Sequence, residues 1–145
     1  MTTTPLTVIV SLIVLAFGLV WFFLQIAAYC KIFEKAGESG WKALVPFYST
    51  YIQYRFSWST QYFSLFLVTS VLVAAFQLME PQSLLAVLFS LASSLAFMAV
   101  HAVSTHKLSK AFGHGIGFTL GLIFFEPIFA LILAFGSSQY QGPQK

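Results

Sequence analysis

The longest apolar runs of this sequence restrict it to a membrane-embedded, helical fold. The first run reads VSLIVLAFGLVWFFLQIAAY, between residues 10 and 29. A helix needs about 20 consecutive apolar residues to cross the hydrocarbon core of a bilayer, whereas a membrane barrel would show many alternating strands of about ten residues. Hydrophobic residues make up 59% of the chain and charged residues 8%, far from the composition of a soluble domain. We therefore predict an integral membrane protein.

Four segments of the chain predict transmembrane helices. They are residues 6–30, 62–79, 83–103 and 116–136. The turn MEPQ between the second and third segments is too short for anything but a tight hairpin, so neighbouring helices should be antiparallel. The predicted fold class is all-α: one polytopic domain over residues 1–145, with four spans and short interfacial helices in residues 31–61.

The basic residues are distributed unequally between the predicted loops. Four lie between the first and second spans and two between the third and fourth, whereas MEPQ has none: Lys31, Lys35, Lys42, Arg55, Lys107 and Lys110. Loops rich in Lys and Arg stay in the cytoplasm. The pattern predicts a multi-pass protein of the cell membrane with both termini outside. Because topology accounts for these few charges, we expect no nucleic-acid partner.

The segment between the first two spans combines charge, aromatic rings and turn residues. Its candidate contact residues are Trp41, Lys42, Tyr48, Tyr51 and Arg55. Aromatic rings with a polar edge favour the headgroup level, and basic side chains favour anionic lipid. We predict one or two short helices in the cytoplasmic interface, in contact with the bilayer or a membrane-protein partner. The alternative is a re-entrant segment that lines a pore.

Small and polar residues recur at helical spacing within the apolar segments. Ser11, Gly18 and Gln25 are seven apart in the first span, and Ser90, Ser94 and His101 share a face of the third. Small and polar side chains mark faces where membrane helices meet, and a seven-residue repeat keeps one stripe towards a neighbour. The stripes are interpreted as an internal seam, or alternatively as the lining of a polar path.

Glu126 is the one carboxylate inside an apolar span, and Pro127 follows it. A charge at the bilayer centre costs about 2.5 to 3.5 kcal/mol on insertion scales. A protonated carboxyl group avoids this cost and can donate a hydrogen bond. With antiparallel spans, Ser94 lies level with Glu126 and is the predicted partner, while His101 lies nearer the cytoplasm. Glu126, Ser94, Ser90 and His101 form the candidate intramembrane polar site, either structural or a proton or cation site.

No cofactor or metal site is predicted. His101 and His106 are five residues apart, on different helical faces, and His114 follows a glycine in a loop, so the three do not form a ligand set. The glycines of FGHGIGFTLG follow no strand and suit helix packing rather than phosphate binding. No catalytic residues are predicted either.

Two stretches resemble a known family. They are KIFEKAGESGWKALVPFYSTYIQYRF, residues 31–56, and KLSKAFGHGIGFTLGLIFFEPIFALILAFGSSQYQG, residues 107–142. They are similar to small uncharacterised bacterial membrane proteins that share a domain of unknown function, some of which carry a signal-peptidase label. A serine and lysine pair of that enzyme type would need a lysine beside the serine. The outer face predicted here offers only Ser137, Ser138 and Lys145, so we do not expect a peptidase.

These observations favour a non-enzymatic membrane protein. We expect an accessory or assembly subunit that acts through helix packing and its cytoplasmic aromatic and basic surface, with a membrane-protein partner or as a homo-oligomer. The alternative is a small oligomeric channel or transporter that uses Glu126.

Overall fold

The computed structural model describes residues 5–78 and 83–144. These residues form six α-helices and one 3₁₀ helix, with no strand among them: α1 (Pro5–Lys35), the 3₁₀ helix (Gly40–Leu44), α2 (Tyr48–Ser57), α3 (Gln61–Leu78), α4 (Leu84–Ala111), α5 (Ile116–Phe124) and α6 (Glu126–Phe135). The all-helical class is confirmed. The predicted MEPQ turn, residues 79–82, lies outside the described residues.

Two of the described helices are long and apolar enough to cross a membrane. They are α1, from residue 6 to 35, and α4, from residue 84 to 111. α3 and α6 are apolar but shorter. α4 extends eight residues beyond the predicted end of its span, because its last two turns are buried under the segment that contains α2: Ser104, Thr105, Leu108, Ser109 and Ala111 are all buried. Where one or two short helices were predicted between residues 31 and 61, the structure has the 3₁₀ helix and α2.

The prediction of a single helix over residues 116–136 is wrong. The helix ends at Phe124 and a new one begins at Glu126, with Pro127 in its first turn. Proline lacks an N–H and clashes with the preceding turn, so it belongs at the start of a helix rather than inside one. Each of the two helices, at 9 and 10 residues, is about half the length that a membrane crossing needs.

α5 and α6 fold back on each other as a hairpin. The ring centroids of Phe118 and Phe129 lie 5.1 Å apart, and His114 Nε2 lies 2.7 Å from Ser138 Oγ. A straight helix would separate residues 114 and 138 by about 36 Å at 1.5 Å per residue. Gly121 permits the fold, because a Cβ there would overlap the Phe129 ring. The sequence indicated that this glycine suits helix packing, but it did not predict that the chain folds back as a hairpin.

The hairpin returns the chain to the end of the molecule where α1 finishes. Lys35 Nζ donates to the carbonyls of Leu133 and Gly136, at 2.8 and 2.7 Å. A lysine at this position satisfies carbonyls that the end of a helix leaves unpaired and complements the helix dipole. The backbone N–H of Gln141 also donates to the Ala111 carbonyl at 2.7 Å. α6 therefore runs beside the last turns of α1 and in the same direction.

The prediction of both termini outside concerns orientation in the membrane; within the protein, the two ends of the described chain lie at opposite ends of α1. Tyr140 donates through its hydroxyl to the carbonyl of Phe56 at 2.6 Å, and the N–H of Gln144 donates to the carbonyl of Ser57 at 3.0 Å. These residues lie at the Lys35 end of α1, whereas Pro5 begins the opposite end of that 31-residue helix. The prediction of both termini outside depended on a fourth span over residues 116–136, and these residues form the hairpin of α5 and α6 in the structure.

The hydrophobic core lies at the end of the molecule that contains Lys35, and we call this region the packed end. Its buried residues come from α1, α2, α4, α6 and Phe112: Ala28, Ile32, Phe33, Ile52, Phe56, Leu108, Ala111, Phe112, Ala130, Leu133 and Ala134. In contrast, no residue of the most hydrophobic 18-residue window of α1 is buried. We call residues 6–24 of this helix the apolar arm. The elements that pack against α1, which include α6 and the 3₁₀ helix, contact the other end of this helix.

Candidate functional site

Glu126 lies at the turn of the hairpin and faces α1. The Tyr29 hydroxyl donates a hydrogen bond to its carboxylate, and Gln25 Nε2 donates to the carbonyl of the adjacent Pro127 at 3.2 Å. The predicted hydrogen bond between Glu126 and Ser94 is absent from the described contacts. The prediction assumed a continuous helix beside α4, whereas the hairpin directs the first turn of α6 towards α1.

The depth of Glu126 also differs from the prediction. Its partner Tyr29 precedes Lys35 by six residues, which corresponds to about 9 Å along the helix. The carboxylate therefore lies close to the packed end, where the basic residues are concentrated, rather than midway along a span. Its side chain is exposed in the isolated chain.

A cavity of about 450 Å³ connects Glu126 to the segment that contains α2. The residues that line it come from α1, α2, α3, α4 and α6 and the 3₁₀ helix: Tyr29, Phe33, Ala43, Ser49, Thr50, Gln53, Tyr54, Phe66, Phe97, His101, Ser104 and Glu126. Of the predicted polar site, the structure thus brings Glu126 and His101 to one cavity. Ser90 and Ser94 are half-buried on α4 and are not among its lining residues.

Tyr54 is the most deeply buried polar aromatic residue of this cavity wall. Its exposed fraction is 2%, and its hydroxyl has no hydrogen-bond partner among the described residues. Burial raises the pKa of Tyr54, and the nearby Ser104 hydroxyl opposes that effect. Ser104 already donates to the carbonyl of His101 at 2.8 Å. A buried hydroxyl without a partner carries a desolvation cost of about 1 to 3 kcal/mol, so a bound ligand or water that pairs with it would stabilise the site.

Several serine hydroxyls of α1, α3 and α4 bond within their own helices. Ser11 of the first stripe donates to the carbonyl of Thr7 at 2.8 Å. Outside the stripes named above, Ser70 donates to the carbonyl of Phe66 at 2.7 Å, and Ser93 to that of Phe89. Such local bonds satisfy a hydroxyl without a second helix. These serines therefore give no evidence of a continuous polar path along the spans.

The three histidines lie at separate positions. His101 lines the cavity, His106 Nδ1 is 2.9 Å from Thr119 Oγ1, and His114 stacks on Phe118 with ring centroids 4.0 Å apart. Among the described residues, no group of three His, Cys, Asp or Glu side chains could hold a metal ion.

The predicted aromatic contact residues form a stack along the 3₁₀ helix and α2. Trp41 stacks on Tyr48, and Tyr48 on Tyr51, with ring centroids 6.3 Å apart in both pairs. Trp41 and Tyr48 are exposed, while Tyr51 also contacts Phe63 of α3 at 5.4 Å. This part of the predicted surface is therefore available at the outside of the packed end.

The predicted basic contacts Lys42 and Arg55 are both paired with Glu38. Lys42 Nζ lies 2.6 Å from the Glu38 carboxylate, and Arg55 makes a second ion pair with it. The hydrogen bond from Lys42 lowers the pKa of Glu38, burial opposes this effect, and Arg55 adds to the lowering. This cluster links the two short helices. Two basic residues and one acidic residue leave it with a net charge of +1, which can attract an anionic lipid or partner. Sequence reasoning missed Glu38, although its four-residue spacing from Lys42 was visible.

Sequence reasoning also missed Tyr29, Gln53 and Tyr54 as cavity residues. Gln25 and Tyr29 are four apart on α1 and so share a face, which is the one local signal of a polar contact near the end of that helix. Gln53 and Tyr54 gave no comparable signal, because their position over α4 depends on how α2 folds back across the bundle.

The comparisons with known proteins identify a family but no activity. A model of the family of unknown function DUF5684 matches residues 41–143, which is more than half of the chain. The protein belongs to this family. The matched range begins at Trp41 and includes α2 to α6, whereas α1 precedes it. Neither a curated protein nor a solved structure matches the chain.

Proposed function

We propose that this protein is a non-enzymatic membrane subunit that assembles with another membrane protein or with its own copies through the apolar arm. The observation that carries the proposal is the absence of internal packing along that arm. Apart from its chain neighbours and the adjacent backbone of α1, no described atom lies within 4 Å of where a Cβ of Gly18 would be, and Ser11 is exposed. A small residue and a hydroxyl seven residues apart form a seam that suits close helix contact.

The same arrangement supports an orientation in the cell membrane. α1, α3 and α4 would cross the bilayer, and the hairpin would enter and leave on one side. The six basic residues from Lys31 to Lys110 then share the cytoplasmic side with residues 140–144. A cytoplasmic C-terminus with an external N-terminus therefore satisfies the preference of basic residues for the cytoplasm better than the four-span prediction.

Labelling of single cysteines in intact cells tests this orientation. In a Cys30→Ser background, Gln139→Cys and Ser39→Cys should both resist a membrane-impermeant reagent, because both exposed positions lie at the packed end. Gln82→Cys should react from outside. If Gln139→Cys reacts and Ser39→Cys does not, the hairpin does not return to the cytoplasmic side and the orientation is wrong.

Site-specific photo-crosslinking tests the assembly role. A photoreactive residue at position 18 should give a discrete crosslinked product in membranes, of a stoichiometric partner or of a second copy. The matched control is position 20, which points about 200° away around the same helix and should give only diffuse lipid products. Equal products at both positions, or none at either, would mean that the seam does not mediate assembly.

The exposed aromatic stack offers a second contact surface for the same role. Trp41 and Phe47 are 59% and 71% exposed, and Phe47 has a positive φ of 63°, which is rare for a bulky residue. Rings of this kind favour the headgroup level of a bilayer. We propose that these residues hold the packed end against the cytoplasmic surface of the membrane.

A small channel or transporter is the second candidate function. The observation in its favour is that Glu126 and His101 line one cavity. Proton and cation flux into liposomes that contain the purified protein tests it. If the parent protein and Glu34→Gln conduct protons or cations and Glu126→Gln does not, the protein is a channel or transporter rather than an assembly subunit.

A further inference from the structure

The cavity beneath α2 has a nearly continuous aromatic wall. Tyr54 and Phe66 have ring centroids 5.8 Å apart, and Phe66 and Phe97 are also 5.8 Å apart. Phe97 in turn stacks on His101 at 6.4 Å, and Tyr29 and Phe33 complete the lining from α1. The faces of aromatic rings carry negative charge density and attract cations that approach within about 6 Å of the ring centre.

Among the described residues that line this cavity, Glu126 is the only acidic one, and none is Lys or Arg. The charge that the lining presents is therefore negative. Tyr29 donates a hydrogen bond to Glu126, which holds the carboxylate at the end of the cavity formed by α1 and α6. A positively charged ligand would be attracted by both the carboxylate and the rings, whereas an anion would meet no compensating charge.

Tyr54 provides an independent indication of a ligand. Its hydroxyl is buried and unpaired in a cavity wall whose other polar groups include Gln53, Ser49 and Thr50. These groups come from α2, whereas the carboxylate comes from α6. A volume of about 450 Å³ is in the range of small-molecule sites, roughly 300 to 1,000 Å³. The site therefore combines a cation-binding end with a polar, hydrogen-bonding end.

We propose that this cavity binds an organic ammonium group, with Glu126 and the aromatic wall around the cation and Tyr54 bonded to a polar atom of the same ligand. Small metal cations are disfavoured, because they require several oxygen ligands at about 2.0 to 2.6 Å and favour carboxylates, whereas Glu126 is the one carboxylate among the described lining residues. The ammonium group belongs either to a free metabolite or to a lipid headgroup. The proposal does not depend on a protein partner.

Equilibrium dialysis of the full-length protein in a maltoside detergent tests the site, with labelled choline as the probe. Saturable binding is expected. An excess of 3,3-dimethylbutan-1-ol, the neutral analogue of choline, should not compete, because it lacks the charge. No saturable binding, or equal competition by the neutral analogue, would overturn the proposal.

Variants assign the binding to the named residues. Glu126→Gln should weaken choline binding by roughly tenfold or more, as expected when a charged partner is removed, and Glu126→Asp should retain part of it. Tyr54→Phe should give a smaller loss. Glu34→Gln is the control, because Glu34 is exposed and paired with Lys31 outside the cavity. Full binding by a Glu126→Gln protein with an unchanged elution profile would contradict the proposal.

Reconstitution distinguishes the two sources of the ammonium group. In nanodiscs of phosphatidylglycerol, labelled choline should bind as it does in detergent. Phosphatidylcholine in the nanodisc should block that binding if the site takes a lipid headgroup, and should leave it unchanged if the site takes a free metabolite. Both results support the ammonium site and decide its source, whereas no binding in either nanodisc would count against it.

Discussion

The apolar arm and the packed end belong to the same helix and differ in almost every physical respect. Residues 6–24 have the higher hydropathy and no buried residue. Residues 28–35 contain Ala28, Ile32 and Phe33, which are 0 to 2% exposed, and end on Lys35, which bonds α6. In a membrane protein, lipid solvates apolar side chains as well as a core does. The most hydrophobic part of α1 is therefore the part suited to contact with lipid. The buried residues lie where polar residues such as Gln25 and Lys35 interrupt the apolar run.

The largest expected effect compares a leucine from each region. Leu133→Ala removes a fully buried side chain of the packed end and should lower the free energy of unfolding by about 3 kcal/mol. Leu15→Ala on the apolar arm, where the side chain is 59% exposed, should change it by less than about 0.5 kcal/mol. Unfolding in mixed micelles with increasing SDS measures both. Similar losses would show that the arm packs within the chain.

A pair of glycines sharpens the comparison within the hairpin. Gly121→Ala places a Cβ against the Phe129 ring and should cost about 2 kcal/mol through overpacking. Gly117→Ala meets no neighbour within 4 Å and should gain up to about 1 kcal/mol from helix propensity. The same micelle titration gives both values. If the two substitutions change the free energy of unfolding in the same direction, α5 and α6 are not folded against each other in the intact protein.

The smallest expected effect concerns the charged cluster that links the short helices. The pKa of Glu38 is lowered from 4.5 by Lys42 and further by Arg55, so its ion pairs stabilise the fold above that pH and are lost as the pH falls through the lowered pKa. Glu38→Gln should cost about 1 kcal/mol at pH 7 and reduce the acid-induced loss of stability.

Glu34→Gln is the control for this cluster, since the ion pair of Glu34 with Lys31 is exposed to solvent and such surface pairs contribute little to stability. The stability of the parent and both variants between pH 7 and pH 3 measures the difference. A Glu38→Gln protein that loses stability with acid as steeply as the parent would show that the cluster does not hold the packed end together.

The sequence was sufficient for the parts of the fold that follow from local pattern. The length of the apolar runs predicted the long helices α1, α3 and α4. The density of turn and aromatic residues predicted one or two short helices after α1. Pro127 was included in a single predicted helix over residues 116–136, because periodicity cannot show whether a proline bends a helix or starts a new one. The distinction depends on Gly121 and Phe129, whose contact exists only after the chain has folded back.

The candidate site was predictable only in part for the same reason. Glu126 was conspicuous as an acid among apolar residues, and His101 was assigned to the same polar site but placed nearer the cytoplasm. Its partner was predicted on the wrong helix, because Ser94 was chosen by level in a bundle with a continuous fourth span. Tyr29 and Tyr54 come from α1 and α2, and their approach to Glu126 depends on tertiary packing that residue spacing does not encode.

The return of the hairpin to the packed end also sets an order of events during biosynthesis. The hydrogen bonds from Tyr140 to Phe56 and from Gln144 to Ser57 join residues more than 80 positions apart. Contacts of such separation form late, because the intervening chain must first be ordered. The apolar arm can enter the bilayer as soon as it is made, whereas the packed end must wait until residues 138–144 have left the ribosome. A nascent chain of this protein would therefore be inserted long before it is folded.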